Sequence, residues 1–238
     1  MDLKSVWSDE RKRKSWYSGG KDYWEKQQRT NDGVLGGYGV VHEADIADSL
    51  EFIKPLIPEN GGATPLRALD VGAGIGRISG SLLLQICDTV DLLDGSSSLL
   101  AQAKDALQWA GDRVERFICG GMQDWVGEPE RYHLIWIQWC IGNLTDPDMV
   151  AFLLRCKESL APGGLIVLKD NVMEPAEASG VDKTGQYIID KDDNSVIRAR
   201  SLMIKLLTRS CGLTIIKQKD AELKRDDLFP VMLCALRP

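Results

Sequence analysis

Ala68-Leu69-Asp70-Val71-Gly72-Ala73-Gly74-Ile75-Gly76-Arg77-Ile78 is the stretch that decides the fold. It reads as a short apolar strand, then three glycines at alternating positions, then the opening of an amphipathic helix. A strand-to-helix turn stripped of side chains lets a large ligand lie directly on the main chain. The next apolar run, Val90-Asp91-Leu92-Leu93-Asp94, ends on an acid. Asp94 lies about 20 residues past the glycines, the spacing at which nucleotide folds grip a ribose. The two features together predict an adenosine-bearing cofactor, and with it an enzyme.

Outward from this turn the pattern alternates. Strands are expected at about 66–71, 89–94, 114–119, 133–137 and 164–169, with helices at about 75–86, 97–109 and 147–160 between them. Such alternation belongs to a parallel sheet covered on both faces. Pro162-Gly163-Gly164 makes the turn into the fifth strand. A further helix is expected at 195–210, with Asp193 or Asn194 as its N-cap. Two last strands, about 213–219 and 228–236, have no helix between them and so pair antiparallel. The expected fold class is α/β: a doubly wound, mostly parallel seven-stranded sheet with an antiparallel C-terminal strand and an N-terminal helical extension.

The first 30 or so residues are polar but carry Trp7, Trp16, Tyr23 and Trp24, which a disordered tail would rarely hold. They are expected to form one or two short helices folded back on the body. Residues 32–39 are too glycine-rich for a helix and read as a loop; 42–55 read as a helix, and Pro58 to Thr64 as a linker. The chain thus divides into 1–60, a helical extension and substrate lid, and 61–238, a cofactor-dependent catalytic domain.

Composition narrows the function. The 238 residues carry a net charge of −6 and 44% hydrophobic side chains, enough for a core. The acidic balance argues against a nucleic-acid partner. Six cysteines form no C-x-x-C pair and read as buried free thiols in a reducing compartment. The N-terminus has no signal-peptide core, and no run of about 18 apolar residues could span a membrane. The expectation is a cytoplasmic protein with no membrane partner and no metal. Nuclear residence is the added possibility, with Arg11-Lys12-Arg13-Lys14 as the short basic candidate.

The dinucleotide fingerprint places a glycine where this chain has Arg77, which disfavours a nicotinamide cofactor. Asp70, just before the glycines, favours S-adenosylmethionine (SAM); a dinucleotide site and an unliganded structural turn are the alternatives. The chemistry suits SAM. Arg77 can pair with its carboxylate. Gly72 and Gly74 allow the methionine part to approach the backbone, and Asp94 can accept hydrogen bonds from both ribose hydroxyls. Asp91 reads as structural, Trp136 as core, and Trp139, just past a strand end, as part of the cleft.

Several longer motifs are more specific. They are Tyr23-Trp24, Asp32-Gly33-Val34-Leu35-Gly36-Gly37-Tyr38-Gly39, Gly121-Met122-Gln123-Asp124-Trp125, Ile135-Trp136-Ile137-Gln138-Trp139, Leu144-Thr145-Asp146, Lys169-Asp170-Asn171 and Asp193-Asn194-Ser195-Val196. With the glycine turn, they make the chain resemble the protein α-N-terminal methyltransferases from about Tyr23 to Arg237. These are SAM-dependent enzymes of Rossmann-like methyltransferase fold that methylate the free α-amine of proteins beginning X-Pro-Lys or X-Pro-Arg. The resemblance implies a cofactor site of Gly72, Gly74, Arg77, Asp94, Gly95, Ser96, Met122, Gln123 and Gln138, with Gln123 near the adenine. It implies a peptide channel of Trp24, Leu35, Trp139, Asn143 and Asp190, in which Asn171 and Asp193 orient and deprotonate the amine.

Elementary chemistry gives those residues the same work. An α-amine has a pKa near 8, and only its neutral form has a lone pair to attack a methyl group. A carboxylate such as Asp193 can accept the departing proton, and Asn171 can take a second N–H. A proline ring can pack on Trp139. The acids Asp190, Asp192 and Asp193 would attract a basic third residue. Two positions depart from the family: Asn143 stands where it usually has a histidine, and Phe229 where it usually has a tyrosine. An asparagine cannot move protons near neutral pH. The departures favour an alternative, a small-molecule N- or O-methyltransferase acting on a small amine. A SAM-binding subunit without activity is the third possibility.

Overall fold

The computed structural model describes residues 3–57, 65–174, 180–223, 225 and 227–238. The expected linker Pro58 to Thr64, and with it the expected boundary at residue 60, lies outside the described residues.

The strands are β1 (Arg67–Val71), β2 (Thr89–Asp94), β3 (Val114–Cys119), β4 (Tyr132–Gln138), β5 (Leu160–Met173), β6 (Tyr187–Asp190), β7 (Ser195–Ala199), β8 (Thr214–Asp220) and β9 (Val231–Arg237). Seven run side by side in the order β3-β2-β1-β4-β5-β9-β8. The first five are parallel, and β9 lies antiparallel between β5 and β8. The strand order reverses beside β1, so the crevice for a ligand opens at the carboxyl ends of β1 and β4.

Period-two alternation in β4 feeds both faces. Ile135 and Ile137 join a core with Met149, Phe152 and Leu207. Leu134 and Trp136 join a second core with Phe52, Leu82 and Leu100. The first face is covered by α7 (Asp146–Glu158) and α8 (Arg200–Lys205). The second is covered by α4 (His42–Ile53), α6 (Ser97–Ala106) and the helix after the glycine turn, a π segment over Ser79–Leu83 that runs into α5 (Leu84–Ile86).

The segment after β5 differs from expectation. Residues 195–199 are strand β7, and the helix begins only at Arg200, after Ala199. Asp193 and Asn194 are therefore not its N-cap. β6 and β7 form a hairpin, with Asp190 opposite Ser195, and Arg198 and Ala199 extend the pairing onto the end of β5. Val196, Arg198 and Ala199 are buried in this arrangement, and the Arg198 guanidinium pairs with Asp146 at 2.8 Å.

The N-terminal residues fold back as α1 (Leu3–Ser8) and α2 (Glu10–Glu25). The Asp9 side chain caps α2 by accepting from the amides of Arg11 and Lys12. Leu3, Val6 and Trp16 pack on Val196 of the hairpin, and Trp7 meets Tyr187 edge-on at 5.2 Å. The glycine-rich stretch opens with one helical turn, α3 (Asn31–Val34), capped by Thr30, where only loop was expected. Among the described residues all six cysteines are free thiols, Cys119 exposed and the other five buried.

Candidate active site

The glycine turn has the backbone its composition predicts. Gly72 and Gly74 adopt φ of 68° and 54°, a region costly for any residue with a Cβ. A Cβ on Gly72 would also lie 2.6 Å from the Cβ of Cys140, so the turn sits flush against the end of β4. Asp70 supports it from beneath, accepting from the Ser79 amide at 2.9 Å and the Ser79 hydroxyl at 2.7 Å. Burial pushes the Asp70 carboxyl up to about 7.

Asp94 bridges two loops. One oxygen accepts from the Gly74 amide at 2.8 Å, the other from the Ser96 amide at 2.7 Å. Burial raises its pKa, and these amides act against the rise. Each oxygen keeps a second lone pair for a donor such as a ribose hydroxyl. Ser96 also caps α6 through the Leu99 amide. Around these loops lies a chamber of about 430 Å³, within the range of small-molecule sites. Its walls include every residue expected at the cofactor: Gly72, Gly74, Arg77, Asp94, Gly95, Ser96, Met122, Gln123 and Gln138. Trp16, Gly20, Lys21 and Trp24 of α2 close it from above. An acid at one end, a guanidinium at the other and a bare backbone turn between them fit the ribose, carboxylate and methionine chain of SAM.

Arg77 is not a free cation. It pairs with Asp45 at 2.6 Å, lies 3.3 Å from Nδ1 of His42, and stacks 5.5 Å from the centre of the Trp139 ring. Asp45 also accepts from Gln138 at 2.9 Å and pairs with the fully buried Lys169 at 2.6 Å. Lys169 in turn reaches Ser49 and Asp48. Burial alone would raise the Asp45 carboxyl, but Lys169 and Arg77 outweigh it and hold the pKa down. Gln138 therefore lines the chamber with its amide already engaged, donating to Asp45 and accepting from Trp136 at 2.8 Å. Sequence reasoning missed Asp45. Its signal was a polar stripe, Asp45, Asp48 and Ser49, at helical spacing on the same helix as the buried Ile46, Phe52 and Ile53.

A second chamber, about 320 Å³, adjoins the first. Trp24, Val34, Leu35, Trp139 and Asn143 line both. Trp139 stands in a left-handed conformation, φ 51°, unusual for a bulky residue and of the kind that gathers at functional sites. Its amide donates to the Lys169 carbonyl at 3.0 Å, which fixes the turn after β4. Asn171, Asp170 and Asp193 also face this chamber, as does Phe229, which is 42% exposed.

Three carboxylates line this chamber: Asp227 pairs with Arg225, while Asp170 and Asp193 form no ion pair among the described residues. Asp170 is held by the backbone: its oxygens accept from the amides of Asn171 at 2.7 Å and Ile141 at 3.2 Å, and burial pushes its carboxyl up to about 6. Asp193 sits in the hairpin turn, and its Oδ1 is buried with no hydrogen-bond partner. Burial raises its pKa; Ser195 opposes the rise and the negative charge of Asp190 adds to it. A buried acceptor without a donor is costly, and Oδ1 of Asp193, on the chamber wall, is free to accept from a group that enters it.

Asp190 departs from expectation. It is exposed at the end of β6 and lines neither chamber. It acts from the rim, raising the pKa of Tyr23 together with Asp193 and Asp192, after the larger effect of burial. Asn143 lines both chambers, and its amide donates to the carbonyls of Asp193 and Asn194. His133 holds the Arg67 amide at 3.2 Å, a structural role.

Comparisons with known proteins identify the family. A protein-family model described as AdoMet dependent proline di-methyltransferase matches residues 12–237. The bovine N-terminal Xaa-Pro-Lys N-methyltransferase 1 is 42% identical over 94% of this chain and 96% of its own length. The Arabidopsis thaliana alpha N-terminal protein methyltransferase 1 is 41% identical over 96% of this chain and 82% of its own. A solved SAM-dependent methyltransferase from Leishmania major superposes with a TM-score of 0.81 at 37% identity, covering 93% of this chain and 83% of that one. The fold class and the SAM-dependent transferase chemistry expected from the sequence are thus borne out. The chain belongs to the AdoMet-dependent proline di-methyltransferase family.

Proposed function

We propose that this enzyme transfers methyl groups from SAM to the α-amine of protein N-termini of the X-Pro-Lys/Arg type. The observation that carries the reading is the orphaned Oδ1 of Asp193, on the wall of a chamber that meets the cofactor chamber at Trp139 and Asn143. The names of the relatives support the substrate class.

Bound SAM supplies an electrophilic methyl group on a sulfonium. The chain's own residues do the rest. Asp94 holds the ribose hydroxyls, and Arg77, braced by Asp45, meets the carboxylate. The glycine turn admits the methionine chain to the backbone. In the second chamber Asp193 accepts a proton from the α-ammonium group, leaving a neutral nitrogen with its lone pair toward the first chamber. Asn171 accepts a second N–H and fixes the direction of that lone pair. The ring of Trp139 offers a flat surface for the second-position proline, and the rim acids favour a cation at the third position. Trp24 and Leu35 exclude water where the chambers meet.

The test is mass spectrometry of synthetic X-Pro-Lys peptides after incubation with enzyme and SAM. The reading expects whole-methyl increments at the N-terminal residue and none on the N-acetylated peptide. A folded, SAM-binding enzyme that leaves the free peptides unmodified refutes it, and methylation of a small amine in the same assay would favour the alternative substrate class.

A further inference from the structure

The turn that carries Asp193 is held from outside its own hairpin. Asn143 Nδ2 donates to the carbonyls of Asp193 at 3.2 Å and Asn194 at 3.4 Å. The carbonyl of Asn143 accepts the indole N–H of Trp16 at 2.7 Å. Asn194 closes the ring, donating to the Trp16 carbonyl at 3.0 Å while its own backbone is left-handed, φ 53°.

The helix above is fitted to this joint. A Cβ on Gly20 would lie 2.9 Å from the Asp193 carbonyl, and one on Gly19 would lie 2.3 Å from the Asn194 amide nitrogen. Two adjacent glycines inside a helix cost about 1 kcal/mol each in propensity. The close approach of α2 to the hairpin turn is what they permit. Trp16, 3% exposed, anchors the same turn of helix in the N-terminal core. The Asp193 Oδ1 makes no hydrogen bond, and the carboxylate's hydrogen-bonding support comes from Ser195 in the same hairpin, so its position follows that of the turn that this ring fixes.

We propose that Trp16 and Asn143 are positioning residues for Asp193, so that the docking of α2 sets the proton acceptor in place for methyl transfer. The N-terminal helix is then part of the catalytic geometry and not only a cover over the cofactor. The proposal rests on the reading of Asp193 as the proton acceptor. Misplacing a reacting group by an ångström costs up to about a hundredfold in rate, and loss of one of several constraints should cost less.

The test compares Trp16→Phe, which removes the N–H and keeps an aromatic ring, with Asn143→Ala, each alone and combined with Asp193→Asn. Peptide kinetics and SAM affinity are measured on the full chain. The expected result is a fall in kcat of about tenfold for each single variant, larger than any accompanying change in peptide KM or SAM Kd from the chamber walls that Trp16 and Asn143 also form. In the Asp193→Asn background neither should lower kcat further, because both act through Asp193. Should Trp16→Phe fail to fold, Asn143→Ala, which leaves the Trp16 side chain in place, carries the same comparison. Unchanged kcat in the folded single variants overturns the proposal, as does an equal further loss in the Asp193→Asn background. If Asp193→Asn itself keeps wild-type kcat, the assignment of Asp193 fails first, and the positioning role falls with it.

Discussion

Asp193→Asn is the sharpest perturbation available. The side chain keeps its shape, so the hairpin turn and the hydrogen bonds from Asn143 to the backbone are retained. What is lost is the ability to take a proton. Losing a general base costs about 10²–10⁴ in rate. The remaining amide oxygen can still accept one N–H and help orient the amine, which puts the expected loss toward the low end. Asp170, on the same chamber wall and raised by burial to about 6, can take up part of the lost role, which also keeps the loss at the low end; Asp227 is paired with Arg225, and the amide of Asn143 does not titrate near neutral pH. The expected fall in kcat is therefore about a hundredfold, about 2.7 kcal/mol of barrier, with SAM affinity unchanged. Stability should move the other way. The folded state raises the pKa of Asp193, so the ionised side chain carries a cost at neutral pH that a neutral amide relieves. The melting temperature should hold or rise. The assay is steady-state methylation of an X-Pro-Lys peptide beside a SAM titration and a thermal melt. An unchanged kcat refutes the base assignment; a collapse of Tm with kcat would make the residue structural.

Three further outcomes follow from the site. Asp94→Ala should weaken SAM binding while leaving the fold intact, measured by calorimetry and circular dichroism; an unchanged Kd contradicts the ribose assignment. Asp45→Asn removes the anion between the buried Lys169 and Arg77; Lys169 keeps Asp48 but Arg77 loses its carboxylate, so denaturation should show a loss smaller than that of a fully unpaired buried charge, about 3–5 kcal/mol, together with weaker SAM binding. Asp70, raised by burial from 3.8 to about 7, binds its proton more tightly folded than unfolded. Its contribution to stability is full below the unfolded value and fades as pH rises through about 7. The stability of the wild type relative to Asp70→Asn should therefore decline from pH 4 to pH 8 in urea titrations; a flat difference contradicts it.

The parts of this molecule that were legible in the sequence are those written in local pattern. The glycine turn, Asp94 and the parallel strands declare themselves through alternation, turn residues and spacing. Trp139 could be placed in the cleft because a residue just past a strand end in an open α/β sheet has few other places to go. The hairpin was missed because its pairing is non-local. Apolar residues at helical spacing continue from Val196 into α8, while the evidence for β7 lies in Tyr187-Ile188-Ile189 across a polar turn. The Asp45–Lys169–Arg77 network joins three distant segments, and no spacing rule links them. Gly19 and Gly20 look like defects in α2 until the Asp193 turn is seen beneath them. Asp190, by contrast, fell outside both chambers because the turn between β6 and β7 directs only Asp193 inward.

The most direct measurement is a structure of the enzyme with demethylated cofactor and an X-Pro-Lys peptide. The account predicts the peptide's α-nitrogen within about 3 Å of Asp193 Oδ1, with the proline ring on Trp139 and a clear line to the sulfur. A peptide bound elsewhere, with Oδ1 still without a donor, would contradict it.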